Sequence, residues 1–127
     1  MITPYKNTQE AIELAAYKLG KQGKRSFCYY RTSNLEMKCG IGHLIPDEIY
    51  KEEFEGNSIS SLLDNFENIK ILFKNCDPYA LARLQKIHDS YLFSDFRILF
   101  ESEFVRYGLD ASKIIKAFDR GTNDRTN

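Results

Sequence analysis

Four side chains in this sequence, Cys28, Cys39, His43 and Cys76, are of the types that hold metal ions or attack electrophiles. As a set they could offer zinc three thiolates and an imidazole in a tetrahedron. Structural zinc sites bring two ligands within about two to four residues of each other on a knuckle. Cys39 and His43 meet that spacing, four apart, while Cys28 lies eleven residues before Cys39 and Cys76 thirty-seven after it. The other chemistry open to this set is nucleophilic: Cys39 with His43 or His88 as base, and Asp47 or Asp89 to orient the imidazole. That needs a depressed thiol pKa and an exposed sulfur. Packing explains the same residues more simply. Cys28 and Cys39 then act as small hydrophobes of a hairpin, Cys76 packs beside the last turn before Asp77, His43 is hydrogen-bonded at a chain corner, and His88 is satisfied on an apolar helix face. Asp47 and Glu48 are adjacent, so on a helix they diverge by about 100° and make a poor facing acid pair. On this basis no catalytic residue, metal ligand or cofactor is assigned. A small thiol-dependent enzyme or zinc-binding protein centred on Cys28, Cys39 and His43 stands as the alternative.

Composition removes further classes. Eighteen basic residues cancel eighteen acidic ones, so no global field draws the chain to nucleic acid or to an anionic membrane. Phe27, Tyr29 and Tyr30 beside Lys24, Arg25 and Arg31 could stack on bases, but the zero net charge speaks against nucleic-acid binding. Neither a Gly-x-x-x-x-Gly-Lys loop nor a Gly-x-Gly-x-x-Gly helix opening occurs. No run of apolar residues reaches membrane-spanning length, and the first residues lack the apolar core of a signal peptide, so a cytoplasmic setting without membrane contact is expected. Three cysteines, an odd number, suit reduced thiols. The basic run Lys18, Lys21, Lys24 and Arg25 reads first as a solvated helix terminus, and second as a contact for phosphate or an acidic partner.

The elements that would position these residues follow from periodicity and punctuation. At 127 residues and 43% hydrophobic content, the chain suits one compact domain, taken as residues 1–120, with a flexible tail at 121–127. The expected class is α+β: a mostly helical domain with one antiparallel β-hairpin over about residues 26–45. A tight loop at Ser33-Asn34 would set Arg31 opposite Glu36, Tyr30 opposite Met37 and Cys28 opposite Cys39. Gly40 and Gly42 then permit a bulge or a close approach by another backbone, and Pro46-Asp47-Glu48 opens a short helix through about Phe54. Asn7 with Glu10 makes a capping box ahead of Ile12, Ala15, Ala16 and Leu19. Asn57 or Ser58 caps a helix bearing Ile59, Leu62, Leu63 and Phe66, while residues 69–73 fit helix better than a lone strand. Asp77-Pro78 starts a helix whose stripe includes Leu81, Leu84, Ile87 and His88. Ser94-Asp95 starts another, which carries Phe96, Leu99, Phe100, Phe104 and Tyr107 until Gly108 stops it, and Asp110 caps the last.

Two resemblances bear on function. Gly40-Ile41-Gly42-His43-Leu44 resembles the corner after the active-site hairpin of phage-type lysozymes, but the positions of that family's catalytic Glu, Asp and Thr fall here on Gly23, Thr32 and Lys38. Glycoside hydrolysis is therefore excluded for want of its carboxylates. Over most of Tyr30 to Leu109, the stretches KCGIGHLIPDEIY (38–50), FEG (54–56), LQKIHD (84–89) and YGL (107–109) resemble a family of small uncharacterised bacteriophage and prophage proteins. That resemblance implies the cytoplasm of an infected bacterium and brings no catalytic residue. It points to an accessory protein that acts without catalysis by binding a bacterial host protein, with inhibition of antiviral defence as the specific form of the idea. The expected binding surface is the hairpin and corner, with Tyr29, Tyr30, Arg31, His43, Asp47 and Tyr50 as contact residues, because exposed aromatics and loop-borne polar groups suit interfaces.

Overall fold

The computed structural model describes residues 2–24, 30 and 38–125. Helix α1, Thr8–Gln22, begins where Asn7 accepts the Glu10 N–H at 2.8 Å, and ends where Gly23 takes a left-handed φ of 80° and donates to the Leu19 carbonyl. Both ends are local solutions to the orphan amides and carbonyls of a helix. Helices α2 (Ile59–Asn65) and α3 (Glu67–Leu72) follow, then α4 (Pro78–Ser90), opened by Asp77 accepting from Tyr79. Next come α5 (Phe96–Glu103) and α6 (Ala111–Arg125). Short 3₁₀ turns cover Gly42–Leu44, Glu52–Phe54, Phe93–Asp95 and Phe104–Tyr107.

The fold is all-α and not α+β, since the described residues contain no strand or sheet. From the Cys39 carbonyl onward the backbone bonds of the expected hairpin close locally. His43 donates to the Cys39 carbonyl, Leu44 to Ile41 and Ile45 to Gly42, the short-range pattern of helical turns. Cys39, Gly40, Ile41 and Gly42 are all buried, whereas a hairpin strand would alternate its faces. The close backbone approach expected for the glycines is found at Gly42, where a Cβ would lie 2.0 Å from the Tyr30 carbonyl oxygen, whereas Gly40 makes room for a side chain, its Cβ falling 2.8 Å from Leu84 Cγ. Cys39 donates to that same Tyr30 carbonyl, which places Tyr30 beside it, two residues away from the register that pairs Cys28 with Cys39. Residues 25–29 and 31–37, with the Arg31–Glu36 pair, Met37 and Cys28, lie outside the described residues.

Three other segments differ from expectation for physical reasons. No helix runs from Pro46 to Phe54. A turn on Pro46 gives way to extended Lys51 and then the 3₁₀ turn. Ile49 and Phe54, the buried residues of that stretch, are five apart and would fall on different faces of one straight helix. Phe66, expected to continue α2, is extended and separates α2 from α3, which lets its ring pack edge-on against Phe54. Residues 121–125, expected to fray, complete α6.

That last turn is held by α1. Gln9 at the start of α1 bonds Asp110 at the start of α6, and Tyr17 donates to Asp124 further along, so the two helices run side by side in the same direction. They meet backbone to backbone, because a Cβ on Gly20 would be 2.3 Å from the Phe118 carbonyl oxygen and one on Gly121 2.0 Å from that of Tyr17. Around this contact Ala11, Ile12, Ala15, Ala16 and Leu19 share one core with Ile114, Ile115, Ala117 and Phe118. The aromatic stripe of α5 joins it: Phe96, Phe100 and Phe104 are fully buried and form a chain of ring contacts.

Candidate functional site

The expected binding residues separate into two places. Tyr30 belongs to a buried polar network, not to an exposed interface: the residue is 3% accessible. Its backbone N–H donates to Glu55 Oε1 at 2.9 Å, its hydroxyl donates to the Asn57 carbonyl at 2.5 Å, and Gln85 Nε2 donates to the hydroxyl at 2.8 Å. Gln85 Oε1 in turn accepts the first N–H of α2, from Ile59, at 3.0 Å. Tyr50, half-buried, donates its hydroxyl to the other oxygen of Glu55. Burial pushes the Tyr30 phenol far above the ordinary tyrosine value, so it acts as a neutral strut between the chain near Cys39, the 55–59 loop and α4. Tyr29 and Arg31 lie outside the described residues.

Beside this network is a cleft of about 290 Å³, lined among others by Tyr30, Cys39, Asn57, Ser58, Gln85 and Asp89. Its thiol is not poised for attack. Cys39 is 2% exposed, its sulfur accepts the Gly42 N–H at 3.2 Å, and burial pushes its pKa up to about 12. The thiolate fraction at neutral pH is then on the order of one in 10⁵. His88 is wholly buried, packs against Phe96 and faces Asp89 across 3.0 Å, the satisfied core histidine that its apolar stripe suggests. Cys76 cannot join Cys39 at one metal ion. Its sulfur contacts the Asn7 carbonyl at the start of α1, while the Cys39–His43 turn attaches at Lys18 and Gln22, roughly 16 Å or more along that helix. Among the described residues no group of three or more His, Cys, Asp or Glu is disposed to hold a metal.

The second place is the corner itself, where the structure gathers side chains that sequence reasoning did not combine. Gln22 organises it: Oε1 accepts the Lys38 N–H at 2.8 Å and lies 2.9 Å from His43 Nε2, while Nε2 donates to the carbonyls of Lys38 and Lys24. Lys18, half-buried on α1, donates to the His43 carbonyl at 3.3 Å. Lys38 reaches Asp47 at 3.9 Å, and Asp47 is 82% exposed. Partial burial, and after it the Lys38 ammonium, hold the Lys18 ammonium below the ordinary lysine value, an effect that Asp47 offsets in part. His43 and Asp47 are thus each tied to this corner, through Gln22 and Lys38, whereas Tyr30 and Tyr50 belong to the Glu55 network.

No family model, curated protein or solved structure matches the chain.

The residues missed from sequence were the glutamines. Gln22 sits one position before the capping glycine and shows no motif. Gln85 could have been noticed as a polar residue flanking an apolar stripe, between Leu84 and His88. Elsewhere, large apolar side chains stand in solvent: Leu92, Ile98 and Val105 are 66%, 67% and 57% exposed, and Tyr79 is exposed as well. Among the described residues no helix is long and apolar enough to cross a membrane.

Proposed function

We propose that the protein is a phage or mobile-element accessory protein that acts without catalysis, by docking on a bacterial host protein in the cytoplasm, with inhibition of antiviral defence as the specific form of that role. The observation that carries this reading is the exposed aliphatic pair Ile98 and Val105, seven residues apart and hence on one side of α5 and the turn that follows it. The pair is flanked by the ion pairs Arg97–Asp119 and Arg106–Glu103, which gives an apolar centre with a charged rim, the anatomy of a protein interface. A rim with both signs, on a chain of zero net charge, suits a protein partner better than a polyanion. The docking face thus moves from the hairpin aromatics to α5.

The thiol-enzyme alternative draws no support from Cys39, whose buried, protonated sulfur already accepts a backbone amide. The test is affinity capture of the tagged protein from bacterial lysate, alongside an Ile98→Asp/Val105→Asp variant with an unchanged melting temperature. One stoichiometric host protein, lost with the variant and rebound by the wild type after purification, is the expected result. Equal capture by the variant, or no partner from several hosts, would overturn the reading.

A further inference from the structure

Around Gln22 the described residues concentrate positive charge, with few carboxylates among them to balance it. Lys18 and Lys21 lie on α1, Lys24 follows its cap, and Lys38 is tied to Gln22 through both its N–H and its carbonyl. Asp47 is the one carboxylate found within ion-pair reach of these four lysines among the described residues, and it meets Lys38 at the long distance of 3.9 Å. Lys18 is the telling member. Its stem is half-buried and its ammonium is directed back onto a neutral acceptor, the His43 carbonyl, with no carboxylate within ion-pair distance among the described residues. A lysine with four rotatable bonds would ordinarily swing such a charge into water. Here it is retained in a partly desolvated position on the same corner as a second lysine, Lys38, whose backbone Gln22 ties beside His43. Burial and Lys38 both act against its charged form.

We propose that Lys18 and Lys38, held on either side of Gln22 and His43, form a binding site for a compact phosphate dianion. A phosphate suits the place better than a single carboxylate. It presents several acceptor oxygens to two point-like ammonium donors, and its double charge offsets an excess that Asp47 leaves uncompensated. Lys21 and Lys24, both exposed, add to the local potential and would draw the anion in. The phosphate can come free in solution or be carried on a phosphorylated residue of a protein. This site is separate from the α5 face and does not depend on the binding reading above.

The experiment is an NMR titration of the lysine ε-methylene signals with inorganic phosphate at slightly alkaline pH, where it is a dianion, and at constant ionic strength, repeated with a phosphoserine peptide and its unphosphorylated form. Saturable shifts at Lys18 and Lys38 are expected. Affinity should fall roughly ten-fold in each of Lys18→Met and Lys38→Met, as for loss of one charge-assisted contact. Lys116→Met, on the exposed side of α6, should leave the affinity unchanged. Methionine keeps the apolar stem, and Lys18→Met should melt no lower than wild type because it removes a partly desolvated charge. Saturation by inorganic phosphate alone assigns the site to a free phosphate. Saturation by the phosphopeptide, but not by its unphosphorylated form, assigns it to a modified protein. Absence of saturable shifts in the wild-type protein, or an undiminished response in both methionine variants, would overturn the site whatever the outcome at α5.

Discussion

Replacing Gly121 by alanine tests the packing on which the whole arrangement rests. The added methyl would lie 2.0 Å from the Tyr17 carbonyl oxygen and 2.9 Å from the Lys21 nitrogen, against an ordinary contact distance of about 3.5 Å. Both obstacles are backbone atoms of α1, so no side chain can turn aside. α6 must withdraw by roughly an ångström or more, and the alanines of α1 then lose their fit to Ile114, Ala117 and Phe118. Overpacking of this kind costs up to about 3 kcal/mol, and alanine's better helix propensity returns about 1. The net loss of about 2 kcal/mol corresponds, for a chain of 127 residues, to a fall in Tm of about 7 °C. In an open helix the same substitution would raise Tm by several degrees, so the sign alone decides. Thermal melting followed by circular dichroism, with exposed Lys116→Ala as the control, is the assay. A Gly121→Ala protein that melts at or above the wild-type temperature would refute the backbone-to-backbone contact.

Further outcomes follow from the network and the thiols. Gln85→Leu removes the partner of the Ile59 N–H and of the Tyr30 hydroxyl, and should cost about 1 to 3 kcal/mol in urea unfolding; no loss would mean that the strut is not structural. Cys39 should resist iodoacetamide at neutral pH in the folded protein and react once urea unfolds it, as followed by peptide mass mapping, while Cys39→Ser should cost about 1 to 2 kcal/mol and leave partner capture intact. Rapid alkylation of folded Cys39 would reopen the thiol-enzyme reading. Alkali should destabilise the fold, because Cys39, Cys76 and Tyr5 ionise at about 12, 11 and 12 when folded, against 9.0, 9.0 and 10.0 ordinarily. The unfolded chain releases these protons first, so their contribution is complete below pH 9.0 and is lost as pH climbs toward 12. Urea midpoints that stay level from pH 8 to pH 11 would contradict that burial.

How much of this was legible in the sequence depended on how far apart the interacting residues lie. The Asn7 and Asp77 caps, the left-handed stop at Gly108 and the apolar stripes of α1, α4 and α5 act within one or two helical turns, and their residue types signal them directly. The core placement of His88 and of the α5 aromatics followed from the same local periodicity. The hairpin expectation failed because β-rich composition and turn residues describe a preference, whereas consecutive residues 39–42 were decided by burial, with Gly40 against Leu84 and Gly42 against Tyr30. The aromatic side of the site went the same way. Tyr30 reads as an interface residue until Glu55, Asn57 and Gln85, separated from it by 25, 27 and 55 positions, take up its amide and hydroxyl. Residues 121–125, part of the tail expected to be flexible, are helical, and Gly121 among them packs on Tyr17 of the first helix. The sequence by itself determined where helices begin, where they stop and which face of each is apolar, because those are short-range properties of the backbone. Only the tertiary structure decided that Gly20 and Gly121 would touch the facing backbone, that Gln22 would gather Lys38 and His43, and that two lysines would be held at one corner. Those contacts join residues distant along the chain, and packing brings them together.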